Sequence, residues 1–89
     1  MEQNFPNPFN PSTIIRYGLS ARSEVRLEIF NVLGQKVGEL VNAEQSEGYH
    51  SITWHAAVPS GIYFYRVEAR STANPNDRFT QIRKMILMK

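Results

Sequence analysis

The sequence predicts an all-β fold, an Ig-like β-sandwich of about six to seven antiparallel strands. Three observations carry that expectation. Apolar residues recur with period two along almost the whole chain, which is the signature of half-buried strands. Clusters of Gly, Pro, Asn and Ser interrupt the alternation at the spacing of a sandwich. No segment carries an apolar stripe at helical spacing.

The 89 residues are read as a single domain, 1–89, opening with an extended lead-in over 1–12. Pro6, Pro8 and Pro11 each fix φ near −65° and lack an N–H, and each pushes its preceding residue toward extended geometry. That stretch cannot be helical, and on composition alone it reads equally as a Pro/Asn linker. A first strand follows, with Thr13, Ile15, Tyr17 and Leu19 on one face and Ile14, Arg16 and Gly18 on the other. Val25, Leu27 and Ile29 alternate with Arg26, Glu28 and Phe30 in a second. Leu33-Gly34-Gln35 is a turn in which Gly34 can take positive φ. Lys36 to Val41 returns as a third strand, and the polar stretch from Asn42 to Gly48 is expected to be loop. Tyr49 to Trp54 is a fourth strand with Ile52 and Trp54 on one face. Val58-Pro59-Ser60-Gly61 is a turn, and Ile62 to Ala69 a fifth strand with Tyr63, Tyr65 and Val67 inward. Asn74-Pro75-Asn76-Asp77 should tip a hairpin, and Phe79 to Met88 is the last strand. A seventh strand would come from the lead-in pairing on an edge.

Three aromatics are expected to anchor this core: Trp54, Tyr63 and Tyr65. Tyr63 opens its strand just after a Pro-Ser-Gly turn. That position suits a tyrosine corner, with the phenol hydrogen-bonded back to the preceding connection. The plainer alternative is a buried aromatic without that bond. Tyr65 then fills the place where antibody domains carry a cysteine.

Composition removes several function classes. Without cysteine there is neither a disulfide framework nor a thiolate metal site. The net charge of +2 is spread over alternating signs, which describes a solvated surface and not a nucleic-acid footprint. His50 and His55, five apart on one strand, point to opposite faces and cannot share a metal. Asp77 is the only aspartate, no nucleophile elbow is present, and the glycines are too dispersed for a phosphate loop. No catalytic residue, metal site or cofactor is therefore expected. Phe30, Tyr49 and Phe64 are predicted to point outward, which leaves weak polysaccharide binding open as an alternative role. The N-terminus has none of the regions of a signal peptide, so any leader is expected upstream in a longer parent.

Taken in order, NFPNPFNPSTIIRYGL, VRLEIFNVLGQKVGELV, GYHSITWHA, SGIYFYRV and RKMILMK resemble the type A C-terminal sorting domain of type IX secretion. The chain is similar also to the Ig-like domain of the flagellar hook-cap protein, through IFNVLGQKV and GYHSITW. The sorting resemblance implies a non-enzymatic module that directs a larger cargo to the medium or cell surface, through the periplasm and across the outer membrane. Its implied partners are the outer-membrane secretion machinery and a cargo domain upstream in the same native chain. The residues implied for recognition are Asn7, Pro8 and Phe9 in the lead-in and Arg83, Lys84 and Lys89 in the terminal strand.

Overall fold

The computed structural model describes residues 3–4 and 12–88. Within them lie six strands and no helix: β1 (Ser12–Leu19), β2 (Ser23–Asn31), β3 (Lys36–Gln45), β4 (Gly48–His55), β5 (Gly61–Ser71) and β6 (Arg78–Leu87). β1 and β4 pair antiparallel in a two-stranded sheet, and the other four form an antiparallel sheet in the order β3-β2-β5-β6. The architecture is the all-β sandwich that the alternation predicts. The seventh strand considered for the lead-in falls on residues outside those described.

Period two translates directly into burial. Thr13, Ile15, Tyr17 and Leu19 of β1 are buried, as are Val25, Leu27 and Ile29 of β2 and Tyr63, Tyr65, Val67 and Ala69 of β5. Met85 and Leu87 add the end of β6 to the same core. Each such aliphatic side chain contributes about 1.5–3 kcal/mol on leaving water. Trp54 packs edge-on against Tyr63, with ring centroids 5.9 Å apart. The Tyr63 phenol donates to the Pro59 carbonyl at 2.7 Å, so the tyrosine corner is present and pins the crossover from β4 to β5.

The β2–β3 turn closes as its residues require. The Asn31 side chain accepts from the amides of Leu33 and Gln35, and Gly34 takes φ 80°. Close approach explains another glycine: a Cβ on Gly18 would meet the Tyr49 ring, its cross-strand neighbour, at 3.3 Å.

One expectation is corrected. The segment assigned to loop from Asn42 onward continues as β3 to Gln45, paired in register with Ser23 to Arg26. Only Ser46 and Glu47 remain outside strands before β4 begins at Gly48. The cause is position in the sheet. β3 is an edge strand, so Asn42, Ala43 and Glu44 are solvent-facing and need no apolar pattern. Register shifts against β2 at Leu27/Glu28 and Ile29/Phe30 break the alternation further. Other strand ends differ by a residue or two.

Candidate recognition surface

β6 is the natural place to look for recognition, because it lies at one edge of the four-stranded sheet. Its two halves differ. Met85 and Leu87 are fully buried, whereas every residue from Arg78 to Lys84 is exposed. The buried part docks the strand and the exposed part displays it. Among the terminal residues expected to act in recognition, Arg83 and Lys84 stand on the displayed half. Lys89 lies outside the described residues, as do Asn7, Pro8 and Phe9.

The start of the lead-in reaches this strand. The Gln3 side-chain amide donates to the Lys84 carbonyl at 2.8 Å and to the Asn4 side-chain oxygen at 2.7 Å. Asn4 itself is only 3% exposed, and its amide nitrogen donates to the Thr13 hydroxyl at 2.9 Å. The Asn4 backbone also hydrogen-bonds the Tyr65 phenol. Burial pushes that phenol up to about 12, against the opposing pull of the Asn4 bond and the nearby Arg83 charge. Tyr65, Arg83 and Lys84 are thus brought together with Gln3 and Asn4 where lead-in, β1 and β6 meet. Trp54 and Tyr63 form a separate structural pair under the β4–β5 crossover. Asn4 was not singled out from sequence, since an asparagine beside prolines signals only a turn.

The outer face of the four-stranded sheet is ordered in rows. One row runs Lys36, Phe30, Phe64, Lys84 across the strands, and the next Glu39, Glu28, Arg66, Ile82. Glu28 lies on the face of β2 opposite Leu27 and Ile29, yet it is buried, with Arg66 at 3.0 Å and Lys36 at 3.1 Å. Burial works to raise its carboxyl, but hydrogen bonds from Arg66 and Lys36 outweigh this and hold it below the usual range. The Arg66 guanidinium also covers the Phe30 ring, 4.7 Å from its centroid. A shallow apolar dimple of about 290 Å³ lies beside them, with Val32, Phe64 and Ile82 in its lining.

The aromatics considered for sugar contact do not share a surface. Phe30 and Phe64 are half-buried cross-strand neighbours on the four-stranded sheet, while Tyr49 projects from β4 in the other. His50 stacks on Tyr17 and His55 bonds the Ser12 hydroxyl at 2.7 Å, so both are engaged locally. Among the described residues no three His, Cys, Asp or Glu side chains converge on a metal position.

A family model described as the secretion system C-terminal sorting domain matches residues 3–86, nearly the whole chain. The chain belongs to that family, whose members carry the sorting signal of type IX secretion. No curated protein and no solved structure matches the chain.

Proposed function

We propose that this domain is a non-enzymatic delivery module. Carried by a larger cargo protein, it is recognised by outer-membrane secretion machinery after passage through the periplasm, and the cargo is released or held at the surface. Its recognition determinants are the lead-in around Asn7, Pro8 and Phe9 and the cations Arg83, Lys84 and Lys89 of the terminal segment. Family membership supports this reading, and one structural observation carries it further. The terminal strand is half core and half display, so a receptor can read Arg83 and Lys84 while Met85 and Leu87 hold the strand in place.

The test is a reporter bearing a Sec leader and fused ahead of this domain, expressed in a host with a type IX system. The reporter should reach the surface or medium. Changing Lys84 and Lys89 to Gln should reduce export while the stability of the domain changes by less than about 0.5 kcal/mol, read as an unchanged melting temperature. Deleting residues 84–89 is a poorer probe, because it also removes Met85 and Leu87 from the core. A reporter that stays in the periplasm behind the intact domain would overturn the proposal.

A further inference from the structure

Among the described residues no strand or loop backbone pairs with β6 at Thr80 and Ile82 on the edge away from β5, and the phase of that edge can be read. In an antiparallel strand the N–H and C=O of one residue point to the same side, and successive residues point to opposite sides. The Lys84 carbonyl accepts from Gln3, which belongs to no strand of this sheet, so its bond is assigned to the side away from β5; the β5–β6 register runs without a shift from Arg70↔Arg78 to Gly61↔Leu87. Hence Thr80 and Ile82, in phase with Lys84, turn both backbone groups to the outer edge. Such a row is a template for another strand.

The side chains flanking this row share one sign. β6 carries Arg78, Arg83 and Lys84 and no acidic residue. Among the described residues no carboxylate forms an ion pair with Arg78 or Lys84, whereas Arg22, Lys36, Arg66 and Arg70 all have one. Between these cations Ile82 is 61% exposed and Phe79 37%. A second copy pairing through the same strand about Gln81 would set Arg78 against Lys84, a like-charge contact.

Resting on the sorting reading, we infer that residues 78–84 of β6 are a strand-addition site for an extended acidic segment of a partner protein. That segment adds to the edge of the four-stranded sheet through the backbone of Thr80 and Ile82. It spans about seven residues, or roughly 20 Å at 3.3 Å per residue, with carboxylates toward both ends and an apolar side chain over Ile82. Partner recognition then lies in the middle of β6 as well as at its basic terminus.

The test uses the whole 89-residue chain and a fluorescein-labelled peptide Glu-Thr-Val-Thr-Val-Thr-Glu, whose terminal carboxylates and central valines share one face as Arg78, Ile82 and Lys84 do, its Lys-for-Glu counterpart serving as control. Fluorescence polarisation should show saturable binding of the acidic peptide, weakened by salt, and about tenfold weaker binding or none for the basic one. Thr80→Pro removes an edge N–H without touching the ladder to β5, so it should abolish binding at an unchanged melting temperature. If Thr80→Pro melts early, the double variant Arg78→Glu, Lys84→Glu decides instead, because it keeps the backbone edge and should reverse the preference toward the basic peptide. Equal binding of both peptides, no binding of either, or a concentration-dependent homo-oligomer that excludes the acidic peptide would each overturn the inference. The export assay separates the two proposals. Exported reporter without peptide binding leaves sorting intact and removes strand addition, whereas peptide binding without export does the reverse.

Discussion

Asn4→Ala tests whether the lead-in is part of the folded domain or merely precedes it. The side chain is buried and gives one hydrogen bond to Thr13 at 2.9 Å while accepting another from Gln3. Loss of the Thr13 bond costs about 1 kcal/mol, and truncating a buried polar side chain with a second partner adds about as much again. The expected destabilisation is therefore about 2 kcal/mol, or roughly 8–16 °C for a domain of this size. A double-mutant cycle with Thr13→Val isolates the pair. If the bond exists as described, the two substitutions should couple by about 0.5–1.5 kcal/mol, measured by urea unfolding with thermal melts as a check on two-state behaviour. Gln3 should meanwhile lose its register on Lys84, seen as faster hydrogen exchange at the end of β6. Coupling below about 0.3 kcal/mol, within ordinary additivity, would refute the clamp.

Two further outcomes follow from groups already placed. Tyr63→Phe removes only the hydroxyl that holds Pro59 at 2.7 Å and should cost about 1–2 kcal/mol; a variant that melts like the parent would dissolve the corner. Tyr65 has its folded value raised from 10.0 to about 12, so the unfolded chain loses this proton first. Its contribution is therefore complete below pH 10 and disappears as the pH climbs through about 12. Tyrosinate absorbance should show one phenol titrating late, and Tyr65→Phe should flatten the alkaline decline in stability.

What could be read from the sequence was what a strand's geometry couples directly to burial. Thr13, Ile15, Tyr17 and Leu19 fell on the core face because side chains alternate, with no knowledge of the neighbouring strand required. Tyr63 was legible because the Pro-Ser-Gly turn before it leaves a carbonyl within reach. The second half of β3 was not, since Asn42 to Gln45 owe their conformation to backbone pairing with β2 and not to their own side chains. Glu28 looked like any outward carboxylate, and only the fold sets Arg66 and Lys36 against it. Asn4 acts on Thr13 nearby, but its neighbour Gln3 acts on Lys84, 81 positions away, and no local pattern encodes that contact.

The division of β6 couples display to folding. Burying Met85 and Leu87 contributes about 3–6 kcal/mol, a large share of the 5–15 kcal/mol expected for a whole small domain. The strand therefore cannot leave the core without a large share of the domain's stability going with it. Its exposed half presents Arg78, Arg83 and Lys84 at fixed spacing only while that core is formed; in an unfolded chain the same three cations lie on a flexible segment with no common edge. A receptor that binds the strand edge consequently favours the folded domain, while one that binds only the basic terminal residues does not discriminate. Export of a Leu27→Ala, Ile29→Ala variant, which loses about 4–10 kcal/mol from two fully buried positions outside β6 while all three cations stay intact, distinguishes these cases: export that falls in step with the folded fraction points to the edge, and export that is indifferent to stability points to the tail alone.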